Sequence, residues 1–184
     1  MRATIPALTS TSLTEVARHA CQLEEGNFAL GFDSGSLHVY GSDGVIIGTA
    51  ELDERIIGLA NSGGNIIAAT STGGVRAFHE KPLWDYGIES GCENICSHPS
   101  GVIVTDSSDR LLLISSQGTL LESTECKSPV AITCSEGGFC AVALDDGSML
   151  FLDDSLKVIH ESKAAADDVE TISCMEFRLS LIHI

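Results

Sequence analysis

The chain has 184 residues, 43% of them hydrophobic, with 26 acidic and 10 basic side chains and a net charge of −16. That apolar content supports a packed domain and excludes intrinsic disorder, while the acidic balance excludes a nucleic-acid backbone partner, which needs a Lys/Arg footprint. No stretch approaches the ~18 apolar residues of a membrane-spanning helix, and Met1-Arg-Ala-Thr-Ile-Pro-Ala-Leu8 lacks the apolar core of a secretory signal.

In chain order, residues 1–14 read as a polar leader. From there a four-part pattern repeats. Unit one, about 15–53, has turns at Asp33-Ser-Gly35 and Ser42-Asp-Gly44; unit two, 54–90, has turns at Ser71-Thr-Gly73 and His79-Glu-Lys-Pro82. Unit three, 91–127, turns at Asp106 to Asp109 and at Ser116-Gln-Gly118. Unit four, 128–166, is the clearest, with segments Pro129–Ser135, Gly138–Leu144, Ser148–Leu152 and Leu156–His160 around the turns Asp145-Asp-Gly147 and Asp153-Asp-Ser155. A fifth unit begins in 167–178, at Val169-Glu-Thr-Ile-Ser-Cys174. The turn between the second and third segments recurs at Asp33, Ser71, Ser107 and Asp145, spaced 38, 36 and 38 residues apart.

Each segment is short, rich in β-branched or other apolar residues, and bounded by Gly, Asp, Ser or Pro, which predicts strands joined by tight hairpins. Asp146-Gly147 suits such a turn because glycine accepts positive φ without a Cβ clash. No segment sustains a 3.6-residue apolar period, so almost no helix is expected. A four-stranded antiparallel unit at this period predicts an all-β fold, a β-propeller built of four such blades plus the first strand of a fifth.

Ser97-His-Pro-Ser-Gly101 resembles the turn between the first two strands of a WD-repeat blade. Gly73-Gly-Val-Arg-Ala-Phe-His-Glu-Lys-Pro-Leu-Trp84 resembles the strand–turn–Trp pattern of quinoprotein (pyrroloquinoline-quinone-type) repeats. The repeats depart from both. The closing Trp-Asp of a WD third strand is replaced by Val39-Tyr40, Ala77-Phe78, Leu113-Ile114 and Phe151-Leu152; no Gly-His precedes a first strand, and the quinoprotein Trp occurs once, at Trp84. The resemblance implies the WD-like/quinoprotein-like propeller superfamily without either subfamily's signature residues, and it allows residues 1–14 to serve as the closing strand of a last blade. The tail Leu179-Ser-Leu-Ile-His-Ile184 equals the translation of CTG TCT CTT ATA CAC ATC, which resembles a transposon end used in sequencing adapters. Residues 179–184 are therefore expected to be adapter read-through, and the chain a fragment of a longer propeller.

Seven cysteines fall outside any framework spacing, and Cys21, Cys96, Cys134 and Cys174 recur near the end of the first strand of their units. A recurrent position has a recurrent environment, so these are expected as reduced, packed thiols, which places the protein in the cytoplasm. Cys92 and Cys96, four apart on a strand, would share a face roughly 13 Å apart, too far for one tetrahedral zinc. The acidic turns at Asp33, Asp106, Asp145 and Asp153 lack the Asp-x-Asp-x-Asp-Gly spacing of a calcium loop and are expected to bond nearby backbone N–H groups. His19, His38, His79, His98 and His160 are scattered, with no nucleophile elbow beside them. Trp84-Asp85-Tyr86 is expected to pack between blades.

No catalytic, metal or cofactor-binding set emerges, and no cofactor is expected. Charge placement is the one functional signal. Asp53, Glu54, Glu89, Asp167 and Asp168 occupy the inter-unit loops, and Asp33, Asp106, Asp109, Asp145 and Asp146 the turns between second and third strands. Both loop sets emerge on the same side of WD-like blades, which implies an acidic face able to dock a protein or basic peptide. The expected function is a non-enzymatic interaction scaffold; the alternatives are a quinoprotein-like enzyme domain and a small-ligand or sugar-binding propeller.

Overall fold

The computed structural model describes residues 13, 15–79 and 81–163. The leader apart from Leu13, the fifth-unit strand, the tail, Asp167 and Asp168 lie outside the described residues. Blade one comprises β1 (Ala17–Gln22), β2 (Phe28–Phe32), β3 (Ser36–Tyr40) and β4 (Ile46–Glu51). Blade two comprises β5 (Ile56–Ser62), β6 (Asn65–Thr70), β7 (Gly74–Phe78) and β8 (Pro82–Gly87). Blade three comprises β9 (Cys92–His98), β10 (Gly101–Asp106), β11 (Arg110–Ser115) and β12 (Leu120–Glu125). Blade four comprises β13 (Pro129–Cys134), β14 (Cys140–Leu144), β15 (Met149–Leu152) and β16 (Val158–Ser162). Each blade is an antiparallel meander in sequence order, and a 3-10 turn at Glu24–Gly26 is the one helical element among the described residues.

The first strands of successive blades lie side by side, β1 beside β5, β5 beside β9 and β9 beside β13, while the fourth strands form the outer rim. Strand period two then sends alternate residues of each blade to its two neighbours. In blade three, Val102, Val104, Leu112 and Ile114 pack against blade two, with Ile67, Ala69 and Val75. Their sequence neighbours Ile103, Leu111 and Leu113 pack against blade four, with Ile132, Val142 and Leu152. A third cluster joins blades one and two through Ala29, Leu37, Leu52, Ile56 and Leu59. Both faces of β10 and β11 are thus dry, which is why those strands read as unbroken apolar runs. Each fully buried Leu or Ile contributes about 2 kcal/mol.

Every blade carries two β-bulges at equivalent places. In the first strands the registers shift around Arg18, Ile57, Glu93 and Val130. In the fourth strands they shift around Ile47, Leu83, Leu121 and Ile159. A bulge flips the side-chain alternation beyond it. The one at Glu93 corrects the expectation that Cys92 and Cys96 share a face: Cys92 packs toward blade two and Cys96 toward blade four.

Two further corrections come from blade four. Its last strand runs Val158–Ser162 instead of Leu156–His160, because the Asp153 carboxylate accepts the backbone N–H groups of Ser155 and Lys157 and lengthens the turn. Leu156 stands in that turn at φ 58, fully buried. And Cys134 is not a free thiol: it is bonded to Cys140, its register partner across β13 and β14. The pair faces across a position flanked by the Ser135 N–H to Phe139 carbonyl bond, where strands approach most closely; its Cα atoms are 4.1 Å apart. Repeat position alone could not show which cysteine would have a partner opposite. The inference from reduced thiols to a reducing compartment does not extend to this pair.

Candidate interaction face

The turns between second and third strands and the inter-blade loops meet at one end of the blades. Leu52 N–H donates to the Gly35 carbonyl, Ile88 N–H to Gly73 and Cys126 N–H to Asp109, so the exit loops of blades one to three are each tied to their own blade's turn. The following loop joins the same seam, since Ser71 N–H donates to Arg55, Ser107 N–H to Gly91 and Asp145 N–H to Ser128.

The acidic residues at this end divide by what holds them. Asp33 sits between two guanidinium groups, accepting from Arg18 at 3.1 Å and Arg55 at 2.9 Å. Partial desolvation opposes ionisation of Asp33, and the two arginines outweigh it, leaving its carboxyl below the ordinary range. Glu54 is half-buried and accepts from the hydroxyls of Thr70, at 2.6 Å, and Thr72, with Arg76 at 3.5 Å. Those hydroxyls lead in holding Glu54 below the usual carboxylate range. Asp106 is fully buried. It accepts from Ser90 at 2.7 Å, from Arg110 at 2.6 and 2.8 Å, and from the N–H groups of Ser108 and Arg110. Burial pushes Asp106 upward, yet these bonds win and leave it lowered. Asp109, at φ 59, accepts the Ser128 N–H, and Asp146 caps Ser148. The backbone bonds of Asp106 and Asp146 within their own turns are those expected of aspartate, and they make Asp106 a structural group instead of a surface charge. Asp109 instead reaches the next inter-blade loop, and Asp33 and Asp145 bond no backbone N–H among the described residues. Asp53, Glu89 and Asp145 are exposed and make no side-chain hydrogen bond or ion pair among the described residues.

The histidines do not converge. His98, at the turn between β9 and β10, is buried; its Nδ1 accepts the Ser100 N–H, and its Nε2 makes no hydrogen bond. Desolvation lowers its pKa. Burial pushes the thiols of Cys92 and Cys96 up to about 12 and those of Cys21 and Cys126 to about 11, so none is a poised nucleophile. No cluster of His, Cys, Asp and Glu among the described residues has metal-binding geometry, and no described helix is long and apolar enough to cross a membrane.

Trp84 does pack between blades. Its indole N–H donates to the Ser116 carbonyl of blade three at 2.8 Å. On the other side it borders a groove of about 390 Å³ lined by Glu51, Arg76, Phe78, Pro82, Leu83 and Asp85. Sequence reasoning missed this groove, whose walls come from β4, β7 and β8. The recurrent apolar start of each fourth strand was the available signal.

No protein-family model matches the chain, and no curated protein does. Solved structures match by shape. The BBS1N propeller crystallised in complex with ARL6DN aligns at a TM-score of 0.74 and 13% identity, over 85% of this chain and 57% of that one. BamB from Moraxella catarrhalis aligns at 0.65 and 15% identity, over 80% and 49%. Chaetomium thermophilum Raptor aligns at 0.70 and 10% identity, over 79% and 16%. The fold is that of a β-propeller, and the chain spans little more than half, or less, of these structures.

Proposed function

We propose that this propeller is a non-enzymatic scaffold for protein–protein interaction, and that its loop face docks a basic segment of a partner protein. The observation that carries the reading is the set of exposed carboxylates Asp53, Glu89 and Asp145 on loops knitted into one seam, none of them in an ion pair among the described residues. Asp33 adds a carboxylate already shared by two arginines, a geometry a third guanidinium can join only by competition. A net charge of −16 steers cationic partners toward the molecule from a distance. The related-fold BBS1N propeller was crystallised with a protein partner, ARL6DN, which supports protein recognition as a use of this architecture. Placement in the cytoplasm belongs to the same reading.

The test is a titration of the full chain with an Arg-rich and a Glu-rich peptide of equal length at two salt concentrations. The Arg-rich peptide should bind, more weakly at higher salt. The triple variant Asp53→Asn/Glu89→Gln/Asp145→Asn should weaken binding about fivefold or more, each exposed pair being worth about 0.2–1 kcal/mol. Equal affinity for both peptides, or an unaffected triple variant, would sink the loop-face reading.

A further inference from the structure

The outer rim is apolar where an edge strand is normally charged. Exposed sheet edges are usually protected from pairing with other chains by charges, prolines or bulges. Here the bulges are present in all four fourth strands, and the bulged residue is each time a large aliphatic: Ile47, Leu83, Leu121 and Ile159. These four are 60%, 52%, 50% and 55% exposed, and Ile46, Leu120 and Val158 beside them are exposed too. A structural role would bury such side chains, so exposure at four equivalent positions marks a surface kept for contact.

Charge identifies what could cover it. The four outermost strands hold five carboxylates, Glu51, Asp85, Glu122, Glu125 and Glu161, and neither lysine nor arginine. Lys81, Lys157 and Lys163 stand only in the flanking turns. Among the residues lining the groove at Leu83 the one cation, Arg76, is divided between Glu54 and Asp85 and also donates to the Leu52 carbonyl, while among the described residues Glu51 accepts only from the Ser36 hydroxyl. The groove there has an apolar floor of Phe78, Pro82, Leu83 and Trp84 and carries net negative charge. An anionic lipid surface or a second copy of this acidic chain would be repelled. Because the bulges break the outer ladder, an added β-strand is also disfavoured, and recognition must run through side chains.

We infer that the outer rim, centred on the Leu83–Trp84 groove, docks a basic amphipathic helix of a partner protein, its aliphatic residues on the bulged side chains and its Arg or Lys residues on Glu51 and Asp85. This surface is separate from the carboxylates of the loop face.

Trp84 is the chain's one tryptophan, so its fluorescence reports the groove directly. The full chain is titrated with a Leu/Arg amphipathic helical peptide and with its Leu/Glu counterpart. The expected result is a saturable shift of Trp84 emission with the Leu/Arg peptide alone. Leu83→Asp should weaken it about tenfold and Glu51→Gln about threefold, with Leu83→Ala as a milder second variant. The Asp53→Asn/Glu89→Gln/Asp145→Asn variant should leave the emission shift unchanged, which separates this surface from the loop face. Binding without a Trp84 response, indifference to Leu83→Asp and Leu83→Ala, or equal binding of the Leu/Glu peptide would overturn the inference. So would emission that changes with protein concentration alone alongside self-association in sedimentation, since a second copy would then be the occupant.

Discussion

Trp84 and Gly118 stand face to face across the junction of blades two and three. A Cβ built on Gly118 would lie 2.7–2.9 Å from three atoms of the indole ring, and the glycine's φ is +78°. Both its backbone conformation and its missing side chain are therefore required there. Gly118→Ala should destabilise the protein by about 1–3 kcal/mol, through strain and a displaced ring. Trp84→Phe keeps most of the packing but strips the Ser116 carbonyl of its donor, at about 1 kcal/mol. Urea unfolding followed by circular dichroism measures both; a neutral Gly118→Ala would mean that the indole does not sit against this turn.

Gly58 makes the corresponding contact near the axis. A Cβ there would come within 2.5 Å of Ile95 Cγ2 on the neighbouring first strand, with no left-handed φ involved. Gly58→Ala should cost about 1–3 kcal/mol, and the pair Gly58→Ala/Ile95→Ala, which removes the clashing Cγ2, should cost less than the sum of its two single changes. Additive costs in that double-mutant cycle would show that the two residues do not touch.

Stability should fall with acid in two stages. Burial lowers the folded-state pKa of His98, and of His19, so the unfolded chain binds those protons more readily and stability declines as pH drops below about 6.5. Asp106, Glu54 and Asp146 are lowered as well, the first against the push of its own burial and the others led by side-chain hydrogen bonds. Their contribution is fully present above their unfolded values near pH 4 and is lost as pH falls through the folded ones. The unfolding midpoint in urea, followed from pH 8 to pH 3, should show both declines. His98→Phe should reduce the upper one, and Asp106→Asn the lower one together with a loss of about 2–3 kcal/mol at pH 7. A flat profile between pH 7 and 5 would contradict the burial of these histidines.

The cysteines should divide chemically. Iodoacetamide added under denaturing, non-reducing conditions should leave two of the six cysteines among the described residues unmodified, and a peptide map should join Cys134 to Cys140. In the native state at pH 8 the thiols of Cys92 and Cys96 should react slowly, as burial holds them protonated. Cys96 Sγ lies 3.5 Å from Cys134 Sγ, so Cys140→Ser should free Cys134 without exposing it. Seven equivalents of label on the denatured, unreduced chain would remove the disulfide.

What the sequence determined by itself was the blade. Strand length, turn residues and the recurrence of Asp33, Ser71, Ser107 and Asp145 are local signals, and each is set by the φ, ψ and hydrogen-bonding preferences of a few adjacent residues. The role of Asp106 and Asp146 in turns was legible for the same reason, as was packing of Trp84 between blades. Only the tertiary structure decided which carboxylates are taken. Asp33 meets arginines 15 and 22 residues away, and Asp106 is buried beneath Ser90 and Arg110. It also decided that Cys134 faces Cys140, that Cys92 and Cys96 look opposite ways, and that Ile47, Leu83, Leu121 and Ile159 stand out from the rim. The reason is register: one extra residue in a strand moves every later side chain to the other face, and register is fixed by long-range packing that no single repeat contains.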